Sequence, residues 1–156
     1  MAVLRKRNRR EDQIFVEGNI PMEYLYTVGP TLEPFFRKLK DKGEFNGVKC
    51  GRCGTVYVPP SLFCEACFEK MTKNVKLPSK GILESYTVAH YDHLGEPLSK
   101  PEIWGLIRLD GADTPFVHRI LGDPKNVELG CQVKVKLKAK AKRTGSMNDI
   151  DGFVPA

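Results

Sequence analysis

Long apolar runs are missing from this sequence of 156 residues. Nothing in it approaches the roughly 18–20 apolar residues that a membrane-spanning helix needs, so a spanning role is not expected. An apolar segment is also missing after the basic start (Arg5, Lys6, Arg7, Arg9, Arg10), where a secretory signal would need one. The expected compartment is therefore the cytoplasm, where thiols stay reduced and disulfides are disfavoured. Internal repeats are absent too. With 41% hydrophobic and 28% charged residues, the composition excludes a disordered or collagenous chain and leaves a globular one.

Uniform basicity is lacking as well, although the net charge is +6. The N-terminal run supplies five cations. Lys134, Lys136, Lys138, Lys140, Lys142 and Arg143 supply six more, and the remainder of the chain is mildly acidic. Charge distributed this way bears on partners and solubility rather than on fold.

Five cysteines are present. Cys50 and Cys53 form one C-x2-C pair, Cys64 and Cys67 a second, and Cys131 stands apart. In a reducing compartment, two such pairs suit four thiolates around one soft metal. Zinc is the expected ion and iron the alternative. A closed four-sulfur site has no open position for substrate, so its expected role is structural. Gly51 and Gly54 flank Cys53 as a tight knuckle requires; Cys67 is followed by Phe68, so the second knuckle is expected to be looser. Cys131 reads as a small core residue.

Residues 1–30 read as an extended N-terminal arm. An amphipathic helix is expected over 31–45, capped by Thr31, with Leu32, Phe35, Phe36 and Leu39 on one face and Gly43 at its end. A zinc ribbon follows over 46–77, with strands at 47–50 and 55–58 and a linker at 73–78. From residue 78 the pattern becomes that of short strands at 83–91, 103–109, 115–121, 132–141 and 152–154. The segment 132–141 alternates strictly, with Val133, Val135, Leu137, Ala139 and Ala141 on one face and lysines on the other. Five strands separated by turn residues predict a mainly β chain ending in an OB-fold barrel over 78–156.

The order of these elements resembles the zinc-ribbon/OB-fold acyl-CoA-associated family. The resemblance rests on Phe35-Phe36-Arg37-Lys38-Leu39, the two C-x2-C knuckles, Val58-Pro59-Pro60, Gly81-Ile82-Leu83-Glu84-Ser85-Tyr86-Thr87-Val88, and the closing Gly152-Phe153-Val154-Pro155-Ala156. It implies a rubredoxin-like zinc ribbon and an accessory subunit of a thiolase-like enzyme in a hetero-oligomer. Such a subunit would support the partner's CoA-binding region. Among the family's branches, the length and the long arm are compatible with the small subunits of benzoylsuccinyl-CoA thiolases of anaerobic toluene degradation.

The residues agree with a non-catalytic role. Thiolysis needs a nucleophilic cysteine with acid–base partners, and four of the five cysteines are assigned to metal. His90 and His93, with Asp92, could imitate a catalytic group but lack a nucleophile beside them; His118 stands alone. Lys134, Lys136, Lys138 and Lys140 are the candidate contacts for a CoA thioester or for the partner, against the plainer reading of a solvated strand edge. A zinc-ribbon/OB-fold nucleic-acid-binding protein is the alternative. Against it, Glu102, Asp110 and Asp113 outweigh Arg108 and Arg119 on the strands that would bind a single strand.

Overall fold

The structure, a computed structural model, describes residues 23–92 and 94–156. The basic run of the arm and His93 lie outside the described residues. The first element is helix α1 (Gly29–Lys42), which starts two residues before the expected cap. Pro30 sits in its first turn and no side chain caps it, so Thr31 lies inside the helix. The fixed φ of proline pre-organises that turn, and its missing N–H is one a helix start would leave unpaired anyway. At the other end Gly43 adopts φ 69°, and its N–H bonds the Leu39 carbonyl at 3.0 Å. Phe35 and Leu39, one turn apart, are buried.

Three strands form the ribbon sheet: β1 (Phe45–Lys49), β2 (Val56–Tyr57) and β3 (Lys73–Leu77), in the order β2-β1-β3. The segment read as a linker is therefore a strand. It pairs antiparallel along the whole of β1, from Phe45↔Leu77 to Lys49↔Lys73. Its composition hid it, because only Leu77 is fully buried and the lysines face water.

The remaining strands are β4 (Lys80–Tyr91), β5 (Pro97–Leu109), β6 (Phe116–Ile120), β7 (Gln132–Leu137) and β8 (Ile150–Pro155). They close into a barrel in the order β4-β5-β6-β8-β7, with β6 and β8 parallel and the other pairs antiparallel. This is the OB-fold. Gly81 pairs with Leu109 on one side and Val133 on the other, where β4 serves both neighbours. A Cβ there would lie 2.2 Å from the Arg108 carbonyl oxygen, so only glycine permits the approach.

Strand β7 ends at Leu137, four residues earlier than its alternation implies, and a 3-10 turn follows at Lys140–Lys142. The pairing with β8 shifts between Lys136 and Leu137, and the Lys138 N–H then bonds the Asp149 carbonyl at 2.9 Å. The β7–β8 connection is drawn inward by Asp149, which is 1% exposed. Its carboxylate accepts the N–H groups of Thr144 at 2.7 Å and Gly145 at 2.8 Å, and the Thr144 hydroxyl at 3.3 Å. From this connection Arg143 reaches α1, donating to the carbonyls of Leu39 at 3.5 Å and Lys40 at 3.4 Å.

One apolar core serves all three parts. It joins Phe35 and Leu39 of α1, Phe45 and Leu77 of the ribbon sheet, and Leu83, Ile107, Leu109, Val133 and Phe153 of the barrel. The β5–β6 turn also extends the ribbon sheet. The Val56 N–H bonds the Asp113 carboxylate at 2.7 Å, the Asp113 N–H bonds the Val56 carbonyl at 2.9 Å, and the Val58 N–H bonds the Thr114 hydroxyl at 2.9 Å.

Burial alone would raise the Asp149 carboxyl, but the amides of Thr144, Gly145 and Ser146 and the Thr144 hydroxyl outweigh it and hold it below its ordinary value. A carboxyl lowered by folding contributes stability above its unfolded pKa and loses that contribution as pH falls through the folded value. Asp149→Asn is expected to cost about 1–3 kcal/mol in urea unfolding at neutral pH. The gap to the wild type should close as pH drops below about 3.9. A gap unchanged by acid would contradict the assignment.

Candidate metal centre

The two C-x2-C segments fold into matched knuckles. In the first, the Cys50 N–H bonds the Thr55 carbonyl at 2.8 Å and the Gly54 N–H returns to the Cys50 carbonyl at 3.2 Å. In the second, the Cys64 N–H bonds the Glu69 carbonyl at 2.9 Å and the Phe68 N–H returns to the Cys64 carbonyl at 2.9 Å. Gly54 has φ 82° and Phe68, at the corresponding place, φ 58°. The second knuckle is thus not looser. It takes the same left-handed turn without glycine, at a backbone cost that glycine would avoid. Gly51 is not among the positive-φ residues, so Gly54 alone meets the turn's conformational demand in the first knuckle.

The four sulfurs of Cys50, Cys53, Cys64 and Cys67 lie within 4.8 Å of one another. Cys50 Sγ is 3.5 Å from Cys67 Sγ, and Cys53 Sγ is 3.5 Å from Cys64 Sγ. A tetrahedral zinc with bonds of about 2.3 Å sets its sulfurs about 3.8 Å apart, so the donor set fits a single ion. The Cys53 amide chiefly lowers the Cys50 thiol, against the effect of burial. Cys64 is lowered to about 6, above all by the Tyr57 hydroxyl. Cys67 receives the Glu69 amide, which favours its thiolate, yet burial and the three neighbouring sulfurs push it up to about 12. Four thiolates so close repel one another, and a divalent cation is what would let them ionise together.

Tyr57 is a residue that sequence reasoning missed. It lies buried on β2 among Val48, Cys50, Cys64 and Met71. Its hydroxyl accepts the Glu65 N–H at 3.1 Å and lies 3.6 Å from Cys64 Sγ. With that amide occupying its acceptor side, the hydroxyl proton is free to point at the sulfur. The only sequence signal was its alternation with Val56 and Val58 in a strand that leads to the second knuckle.

The other candidate residues are dispersed. The lysine stripe does not persist. Lys134 projects into solvent, and Lys136 pairs with Asp151 at 3.3 Å. Lys140 is exposed on the 3-10 turn. Lys138 is half-buried and lines a cleft of about 460 Å³ with Trp104, Val117, His118, Arg119 and Met147. His118 Nε2 lies 3.4 Å from the Met147 carbonyl, and its ring packs on Phe153. Burial lowers its pKa, so the ring is neutral near pH 7. His90 is exposed at the end of β4. Asp92 shapes the β4–β5 turn, its carboxylate accepting the N–H groups of Leu94 at 2.8 Å and Glu96 at 2.9 Å. Cys131 is half-buried beside the main core.

A helix, a four-cysteine ribbon and an OB barrel on one core define a zinc-ribbon/OB-fold protein. Comparison with known proteins gives the same architecture. Residues 37–71 match the ChsH2 rubredoxin-like zinc ribbon domain, and residues 74–138 match the ChsH2 C-terminal OB-fold domain. A DUF35 domain-containing scaffold protein of Methanocaldococcus jannaschii is 32% identical over 100 residues, 64% of this chain and 71% of the relative. A protein of the same description from Methanothermobacter thermautotrophicus is 24% identical over 101 residues, covering 64% and 76%. The chain belongs to the DUF35 family. Among solved structures, a DUF35 protein of Sulfolobus solfataricus matches with a TM-score of 0.58 at 32% identity, covering 69% of this chain and 78% of that one. The structure described as the Ltp2-ChsH2(DUF35) aldolase matches with a TM-score of 0.58 at 21% identity, covering 83% and 98%; this likeness is one of fold.

Two substitutions probe the centre. Tyr57→Phe removes the hydroxyl beside Cys64 and should weaken metal retention by about 10–100-fold in competition with a chelator, as loss of an outer partner does elsewhere. Retention equal to the wild type would show that the hydroxyl plays no such part. Phe68→Gly should raise stability by up to about 1 kcal/mol in chemical denaturation of the metal-loaded protein, since it relieves a left-handed non-glycine residue. A loss of stability would show that the ring's contacts outweigh the strain.

Proposed function

We propose that this chain is a non-catalytic scaffold subunit of an acyl-CoA-processing enzyme complex. Its partner is a thiolase-like catalytic subunit, and the benzoylsuccinyl-CoA thiolases of anaerobic toluene degradation are the particular branch. The observation that carries the reading is the architecture as a whole. This fold is like that of a chain, covered over 98% of its length, in the structure described as the Ltp2-ChsH2(DUF35) aldolase. Two relatives carry the description of scaffold protein. On this reading Cys50, Cys53, Cys64 and Cys67 hold a structural zinc, and the chain works in the cytoplasm. Four sulfurs complete the shell of such an ion, so the metal supplies rigidity and no reactive position. Lys138, in the cleft beside Trp104, is the lysine best placed to meet a CoA phosphate near the interface; Lys134 and Lys140 are open to the partner.

One structural observation weighs against the nucleic-acid alternative. The outer face of β4, β5 and β6, which an OB-fold would offer to a single strand, has both its arginines neutralised in pairs. Arg108 is bonded to Glu84, and Arg119 lies 3.8 Å from Glu102. Trp104, the aromatic that could stack a base, donates its indole N–H to Glu102 at 3.2 Å. Among the described residues Lys100 of β5 is the one Lys or Arg of these three strands without an ion pair, where tracking a phosphate backbone takes several.

The test is purification of the chain from its native source, with identification of what co-elutes, followed by co-expression with that subunit. A stable hetero-oligomer with a thiolase-like subunit, and zinc near one ion per chain, is the expected result. A chain that stays monomeric beside such enzymes, or that binds single-stranded DNA tightly at physiological salt, would overturn it.

A further inference from the structure

We propose that the surface where α1 meets the β7–β8 connection is the face on which the enzyme subunit docks, and that it takes a surface with an apolar projection rimmed by carboxylates. The inference rests on the scaffold reading and adds the place and chemistry of the contact. Two observations meet at this surface. The first is apolar. The chain entering α1 leaves Tyr26 83% and Val28 49% exposed, beside a fully exposed Leu25. Val28 also lines a cleft of about 250 Å³ whose walls include Phe36 and Lys40 of α1 and Thr144 and Gly145 of the connection, with the Glu33–Arg37 pair and Asp41 at its side. Apolar side chains left in water around a hollow mark interaction sites more often than they mark ordinary surface.

The second observation is electrostatic. Lys40 and Lys42 on the last turn of α1, and Lys140 and Lys142 on the connection, are all exposed. None of the four forms a salt bridge among the described residues. Arg143 fixes the two cationic segments together through the Leu39 and Lys40 carbonyls. The nearby carboxylates are largely committed: Glu33 to Arg37, and Glu44 to Lys76 at 2.7 Å. Asp41 is the one on this stretch without such a pair. On the barrel four cations are matched, Lys80 with Asp110, Arg108 with Glu84, Arg119 with Glu102 and Lys136 with Asp151. Exposed cations without a salt bridge also stand elsewhere, Lys49, Lys73, Lys100 and Lys125 among them; this surface sets four such cations beside exposed apolar side chains, and complementarity there calls for an acidic partner surface. A nucleic acid would use the cations but would gain nothing from Leu25, Tyr26 and Val28. An apolar centre with a charged rim is the anatomy of a protein–protein contact.

The test uses the full chain and the enzyme subunit that co-purifies with it. Lys40→Glu, Lys140→Glu and Lys142→Glu are combined in one variant, and Val28→Asp is made separately. Lys73→Glu with Lys125→Glu, on other exposed surfaces, is the control. Circular dichroism and zinc content establish that each variant is folded. Affinity for the subunit is measured by calorimetry at low and high ionic strength. The triple variant should bind about 100-fold more weakly and with a reduced salt dependence, Val28→Asp should weaken binding at both salt levels, and the control should match the wild type. Binding by the triple variant and by Val28→Asp within about threefold of wild type would overturn this surface and leave the scaffold reading standing. A wild-type chain that binds no enzyme subunit would overturn the scaffold reading and the surface with it. Loss of single-stranded DNA binding in the triple variant, with subunit binding unchanged, would assign the patch to polyanions and likewise overturn the proposal.

Discussion

The structure depends on one shared apolar core. Phe35 and Leu39 of α1, Phe45 and Leu77 of the ribbon, and Leu109 and Phe153 of the barrel belong to a single buried cluster. None of the three parts has enough of its own. A helix of 14 residues with two buried side chains is marginal in water. A sheet with strands of five, two and five residues buries little without a metal to staple it. The barrel receives the helix and the ribbon as its closing layer. Folding of the metal site is thus linked to folding of the whole, because the strand that carries Phe45 into the main core carries Val48 into the cluster beneath the sulfurs.

That coupling fixes orientation. The ribbon cannot swing on the barrel, since β2 is hydrogen-bonded to the β5–β6 turn through Asp113 and Thr114. The helix cannot swing either, since Arg143 of the β7–β8 connection holds its last carbonyls. Asp149 in turn holds that connection in place. A metal knuckle, a helix end and a barrel face are therefore presented in fixed relation. Fixed relation is the property a docking surface needs, because ordering flexible segments upon association costs affinity.

Much of this was legible in the residues. Cysteine spacing gave the metal cluster, and the period of Leu32, Phe35, Phe36 and Leu39 gave the buried face of α1. Alternating short segments gave a five-stranded barrel. What escaped had physical reasons. Strand β3 is a polar edge strand whose pairing with β1 is carried by backbone groups, which leave no trace in composition. Strict alternation ran on to Ala141, but a buried carboxylate twelve residues beyond Leu137 turns the chain inward. The second knuckle was expected to be loose because it has no glycine. The sulfur cluster and the returning Phe68 N–H impose the left-handed turn on phenylalanine instead, an instance of tertiary demand overriding local preference.

The charge changes meaning most. In the sequence, the lysines from 134 to 142 form a stripe with one implied role. In the fold they separate into Lys136 neutralised by Asp151, Lys138 turned into a cleft, and Lys140 and Lys142 brought against the last turn of α1 about a hundred residues earlier in the chain. Meanwhile Arg108 and Arg119, on the barrel face that a strand of nucleic acid would need, are paired off in salt bridges. The net charge of +6 thus resolves into paired and unpaired cations, and position decides what each can do. The lysines at the end of α1 and on the β7–β8 connection lie beside exposed apolar side chains, and a surface of that composition is suited to hold a protein rather than to carry out a reaction.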